Sequence, residues 1–146
     1  MNSPRPRILK SVFTASLGLV VFGLTYLFSK LMLLGILYLL SEVVGKFLYI
    51  LFETPDFLAE SLSAAIAYGV TGFLLKKLNK DIASQALAYS IAGIIIVVIH
   101  ALSLILNLIY SENIFPNILQ GIAGFALFFQ GKRIKRTSLD TEEIVN

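Results

Sequence analysis

Residues 82 to 111 run for 30 positions without one Asp, Glu, Lys or Arg, and residues 113 to 131 run for 19 more. A helix that crosses a ~30 Å hydrocarbon core needs about 20 apolar residues. Each run therefore reads as one crossing, at about 86–110 and 114–131. Between them SENIFPN carries Glu112, Asn113, Pro116 and Asn117, which is turn chemistry. A third crossing at 57–75 is entered through Pro55 and Asp56 and closed by Lys76 and Lys77. Composition agrees: 57% of the 146 residues are hydrophobic and only 14% are charged. A small water-soluble domain needs more polar cover than this, because its surface is large for its volume. Disorder is excluded by the same apolar content, and a disulfide-stapled fold by the absence of cysteine. The expected fold is an all-α integral membrane protein built as one helical bundle.

Charge placement carries the topology. Ten of the twelve basic residues fall in three clusters. These are Arg5, Arg7 and Lys10; Lys76, Lys77 and Lys80; and Lys132, Arg133, Lys135 and Arg136. Two crossings separate the second cluster from the third, so they share a side, which the positive-inside rule makes cytoplasmic. The turns with Glu53, Asp56 and Glu112 then face the opposite compartment. This gives a basic cytoplasmic N-terminus at 1–10, a transmembrane bundle at 11–131, and a basic then acidic cytoplasmic tail at 132–146. The final TSLDTEEIVN is expected to be disordered. The implied location is the cytoplasmic membrane of a prokaryote.

Residues 8–52 are harder to divide. As one helix they would measure roughly 68 Å, over twice the hydrocarbon thickness. Length asks for two passes, 11–29 and 31–52, turning at Ser29 and Lys30. Charge asks for one pass, which keeps all three basic clusters on one side. Both demands are met if 11–29 crosses and 31–52 forms a separate interfacial or re-entrant helix on the outer side. The expectation is thus four transmembrane helices with that extra helix, five crossings being the alternative. An outer Lys30 favours four. Glu42 and Lys46 would form an i,i+4 ion pair, interfacial in the four-pass case and near mid-membrane in the five-pass case. The first segment resembles a signal peptide, but the bulky LTYLFSKLM offers no small-x-small cleavage site, so it reads as a retained anchor.

AIAYGVTGFLLKKLNK (65–80) and GIAGFALFFQGKRIKR (121–136) align without gaps. This is either a parallel repeat of the kind some transporters use or the common pattern of a cytoplasmic helix end. The second reading is preferred, because the upstream halves align poorly. Helices in lipid pack through small and polar residues. The expected seams are Ser11, Thr14, Gly18, Thr25 and Ser29; Ser61, Ala65, Gly69 and Gly72; Tyr89, Gly93, His100, Ser103 and Asn107; and Asn117, Gln120, Gly121 and Gly124.

Ionisable and polar groups inside a membrane are candidate functional sites. His100, the single histidine, could bond Ser103 or Gln120, with Asn107 extending a polar track. Glu60 faces either a cavity mouth or the headgroups. Lys76, Lys77, Lys80, Lys132, Arg133, Lys135 and Arg136 are placed to contact anionic lipid headgroups, which explains them without nucleic acid. One histidine and no cysteine give no metal or haem ligand set. No phosphate loop or nucleophile elbow occurs. The chain is expected to be no enzyme and to need no cofactor.

Three function classes fit these residues. The first is a non-catalytic, membrane-embedded subunit or accessory protein, bound to itself or to another membrane protein. The second is a small oligomeric transporter, flippase or channel. The third is an immunity-type or holin-type membrane protein. Hairpins that end in basic residues are similar in broad architecture to small four-helix flippases of polyprenyl-linked sugars, with no shared motif.

Overall fold

The computed structural model describes residues 4–44, 55–110 and 112–145. Among them are four helices and no strand: α1 (Pro4–Val44), α2 (Pro55–Leu78), α3 (Ile82–Ile109) and α4 (Phe115–Val145). Three stretches are long and apolar enough to cross a membrane: Arg7–Leu40, Phe57–Leu78 and Ile82–Ile109. α4 is not among them, because Asn117, Gln120 and Gln130 dilute its apolar run.

Two expectations are corrected. No turn separates residues 11–29 from 31–52: α1 continues through Ser29 and Lys30 to Val44. The cause is local. The residues around Lys30 are good helix formers, with no proline or asparagine and only isolated glycines, so nothing stops the helix. The tail is likewise helical to Val145. Residues 137–145 contain neither glycine nor proline, and Arg136 and Asp140 stand at helical i,i+4 spacing.

The turns follow their sequence signals. Asn79 closes α2 by donating from Nδ2 to the Leu75 carbonyl at 2.9 Å. Asp81 caps α3, its Oδ1 accepting from the Ser84 N–H at 2.7 Å. In the second turn Asn113 Oδ1 accepts from the Phe115 N–H at 3.0 Å, and Asn107 Nδ2 donates to the Asn113 carbonyl at 3.0 Å.

Contacts fix the arrangement. α1 packs on α2 and α3, α4 packs on α3 and α2, and α2 also touches α3 across the centre. Thr14 meets Asn79, Gly18 meets Leu75, and Tyr26 meets Glu60, so α1 and α2 are antiparallel. Gly131 meets Ser90, Gly93 meets Gly124, and His100 meets Asn117, so α3 and α4 are antiparallel too. The core is made largely of alanines with Phe22, Leu75, Tyr89, Ile96 and Leu127. Small residues let helices approach closely. The outward faces carry Leu, Ile, Val and Phe.

This geometry corrects one seam. α2 turns Ala59, Ser63, Ala67, Thr71 and Leu75 inward, while Ala65 and Gly69 are exposed. A methyl group added at Gly69 or Gly121 would meet nothing within 4 Å.

Candidate functional site

The register of the hairpins gathers the basic residues at one end. Arg7 and Lys10 act electrostatically on Asp81 in the α2–α3 turn, beside Lys76, Lys77 and Lys80. Gly131, which precedes the third cluster, packs on Ala86 and Ser90 near the start of α3. Lys76, Lys77, Lys80, Lys132, Arg133, Lys135 and Arg136 are all exposed there. Lys132 lies 4.6 Å from the Phe128 ring centre and Lys77 5.9 Å from that of Phe73, within cation–π range. Hydrogen bonding from Ser84 first, and then the charges of Arg7 and Lys10, hold the Asp81 carboxyl below its usual range. A polar knot sits just inside. Ser11 Oγ donates to the Ser84 carbonyl at 3.2 Å, and Asn79 Nδ2 donates to Thr14 Oγ1 at 3.2 Å.

The other end has different chemistry. Tyr26 and Lys30 stand one turn apart on the same face of α1. Glu60 lies near the start of α2, and its residue is 4% exposed. One carboxylate oxygen accepts from the Tyr26 hydroxyl and the other pairs with the Lys30 ammonium. A buried charge persists only when paired and hydrogen-bonded, and here both oxygens are engaged. The pair borders a cleft of about 510 Å³ lined by Lys30, Leu34, Phe57, Glu60, Asn113, Phe115 and Pro116. Phe57 and Phe115 form one wall, their ring centres 4.7 Å apart and tilted by 31°. The cleft thus brings together a cation, an anion, an amide and an apolar wall, drawn from α1, α2 and the start of α4.

No protein family's profile matches this chain, and no curated protein or solved structure is significantly similar to it. What the site can do is read from its own geometry.

The residues singled out in the sequence are distributed as follows. His100 is half-buried, with Nδ1 3.4 Å from Asn117 Oδ1, so its partner is neither Ser103 nor Gln120. Gln120 is buried on α4 one turn beyond Asn117, and Ser103 is half-buried on α3. Asn107 spends its amide on the α3–α4 turn. The Glu42–Lys46 pair lies outside the described residues. Lys30 stands at the end opposite the basic clusters.

Sequence reasoning missed the link between Lys30 and Glu60. One signal was present: each is an isolated charge in an apolar segment, of opposite sign, at matching depth once α1 and α2 are antiparallel. Two tyrosine contacts were missed as well. Tyr89 donates to the Gly72 carbonyl, and Tyr68 donates to Gln130 Oε1 at 2.9 Å. These tie α2 to α3 and α4 around a smaller cleft of about 190 Å³.

Proposed function

We propose that this chain is an integral membrane protein of four crossings with its basic clusters in the cytoplasm. It acts as a small carrier of the transporter or flippase class, holding the polar end of an amphiphile in the cleft beside Lys30 and Glu60. The observation that carries this reading is the buried ion pair opening onto a cleft with an aromatic wall. Ionisable groups in membrane-length helices are expensive and mark function by default.

Spacing supports the orientation. Twenty residues separate Lys10 from Lys30 on one continuous helix, about 30 Å at 1.5 Å per residue and so one hydrocarbon thickness. α4 supports a fourth crossing in spite of its lower mean hydropathy. Its Asn117 and Gln120 are buried, whereas Ile118, Ile122, Phe125 and Phe129 are exposed. Averaging around the helix counts polar residues that the bundle hides from lipid. The interior face of α2 suits a carrier too. Glu60, Ser63, Thr71 and Asn79 are buried along it, and the Ser63 and Thr71 hydroxyls have no hydrogen-bond partner.

Liposomes holding purified protein and a fluorescent short-chain amphiphile test the carrier. Cationic and anionic headgroups are each assayed by dithionite bleaching. A carrier exposes the inner-leaflet pool within minutes, and Leu34→Trp, which fills the cleft, slows that exposure. Bleaching that stops at the outer leaflet for both headgroups, as in protein-free liposomes, refutes the reading. Topology is tested by thiol labelling of this cysteine-free chain. Arg7→Cys and Lys80→Cys should label from one side and Glu112→Cys from the other.

A second reading, a non-catalytic subunit of a larger membrane assembly, is favoured by α1. Its 34-residue apolar stretch, Arg7–Leu40, exceeds what one crossing needs, and Leu31, Met32, Ile36 and Leu39 are exposed beyond Lys30. A stoichiometric partner recovered in gentle detergent would support it.

A further inference from the structure

We propose that the ligand of this cleft is an organic cation, bound by Glu60 in exchange for Lys30. The inference rests on the carrier reading above and names the class of substrate. It starts from the charge balance at this end. Among the described residues Lys30 is the one Lys or Arg there. Glu60 pairs with it in the cleft, and Glu112 precedes Asn113, a residue of the cleft wall, in the α3–α4 turn. The local field is negative and draws cations. An anionic ligand would meet Lys30 already committed to Glu60, with no second cation among the described residues of the cleft to hold it.

The two members of the pair are unequally fixed. The Glu60 side chain is 5% exposed, while that of Lys30 is 32% exposed on a long, flexible stem. The carboxylate is the fixed element, since the Tyr26 hydroxyl holds its second oxygen. Lys30 is the exchangeable element. It can swing its ammonium toward the headgroup region and keep its charge hydrated. A ligand cation entering the cleft then takes over the counter-charge of Glu60. No buried charge is left alone at any stage, so the exchange avoids the large penalty of an unpaired carboxylate. Phe57 and Phe115 add faces that attract a cation with an apolar body. A volume of about 510 Å³ suits a drug-sized molecule. Without a ligand Lys30 occupies the carboxylate, so an incoming cation must displace the ammonium to bind.

Two probes of the same shape and opposite charge test this: tetraphenylphosphonium and tetraphenylborate. Equilibrium dialysis against the full chain in detergent measures saturable binding of each, with empty micelles subtracted. Tetraphenylphosphonium should bind saturably. Glu60→Gln should weaken it at least tenfold, and Leu34→Trp, which blocks the cleft without touching the pair, should do the same. Lys30→Met should bind the cation several-fold more tightly, because nothing has to be displaced. A purely structural ion pair makes the opposite prediction, loss of binding in Lys30→Met together with Glu60→Gln, and that result overturns the proposal. Saturable tetraphenylborate binding in the wild-type protein, abolished by Lys30→Met, would also overturn the cation assignment while leaving the cleft as a ligand site. Saturable binding of neither ion overturns the cation assignment; the carrier reading is then judged separately by the liposome assay.

Discussion

The two antiparallel pairs, α1–α2 and α3–α4, solve the same packing problem by different means. In α3–α4 the backbones themselves meet. A β-carbon at Gly93 would stand 2.5 Å from the Phe128 amide nitrogen and 2.6 Å from the Gly124 carbonyl oxygen, and one at Gly131 would stand 2.7 Å from the Ala86 carbonyl oxygen. In α1–α2 side chains fill the space: Gly18 against Leu75, Thr14 against Asn79, and Tyr26 with Lys30 against Glu60. A seam of backbone contacts has one geometry and resists adjustment. A seam of polar side chains can exchange partners while the helices stay in place. The difference puts the rigid support in α3–α4 and the ion pair of the candidate site in α1–α2, where side chains can move.

The largest effect should come from breaking the rigid seam. Gly93→Leu forces α3 and α4 apart along their most extensive contact, and neither neighbour can yield because both are backbone. Overpacking of a tight core typically costs about 1–3 kcal/mol, and this site should exceed that, with loss of the folded fraction in detergent. Gly18→Leu is the matched change in the other seam, where the nearest atom is the end of the Leu75 side chain at 2.9 Å. It should cost clearly less. Equal unfolding transitions for the two variants would erase the distinction between the seams.

Removing one polar link from α1–α2 should have an intermediate effect. Asn79→Ala deletes the bonds to the Leu75 carbonyl and the Thr14 hydroxyl. A buried hydrogen-bonding group is worth about 1–3 kcal/mol when its partners are left unsatisfied. Thr14 keeps its bond to the Ser11 carbonyl, which limits the loss. A midpoint shift no greater than that of an exposed substitution would place the stability of this pair elsewhere.

Much of this arrangement was legible in the charges. Lys76 and Lys77 marked the end of α2 and Asn113 the turn before α4, because charge and turn chemistry act locally, whereas α4 runs on through the basic cluster at 132–136 to Val145. The continuity of α1 was hidden by the assumption that a helix stops when the membrane does; a helix stops only where its own sequence stops it. The inward face of α2 was misassigned because small residues occur on both of its faces. Gly69 and Ala65 look like a seam, yet Ser63, Ala67 and Thr71 are the residues that touch neighbours. The Lys30–Glu60 contact depends on the register between two helices, which no local pattern contains. His100 showed the same limit: its polarity implied a partner on the next helix, but the choice of Asn117 over Gln120 depends on the axial register between α3 and α4, a shift of about one turn.

At the basic end a smaller effect is expected, because the contacts there are exposed. Asp81→Ala removes the α3 cap and should cost about 1 kcal/mol, while Asp81→Asn keeps a capping side chain and loses only the charge. The pH dependence separates the two contributions. The folded carboxyl is held below its usual range by Ser84 and the nearby positive charges, so its stabilisation is present above the unfolded value and is lost as pH falls through the folded one. Wild type should therefore lose stability in acid relative to Asp81→Asn, and the gap should shrink in high salt. A gap indifferent to both would mean that the basic cluster exerts no useful field on this turn.

The smallest effect, and the sharpest use of the comparison, comes from two glycines of α2. Gly72 lies against Tyr89, whose hydroxyl a β-carbon would meet at 3.5 Å, an ordinary contact; Gly69, one turn earlier, would meet nothing within 4 Å. Replacing a helical glycine by alanine lowers the entropy lost on folding and typically stabilises by about 0.5–1 kcal/mol where there is room. Gly69→Ala should raise the unfolding midpoint slightly and leave the oligomeric state in mild detergent unchanged. If the exposed face of α2 is instead the seam between two copies, close approach would need this glycine, and alanine would dissociate the oligomer. Size-exclusion chromatography with light scattering on Gly69→Ala therefore decides whether the small residues left on the outside of α2 stay exposed or pack against another chain.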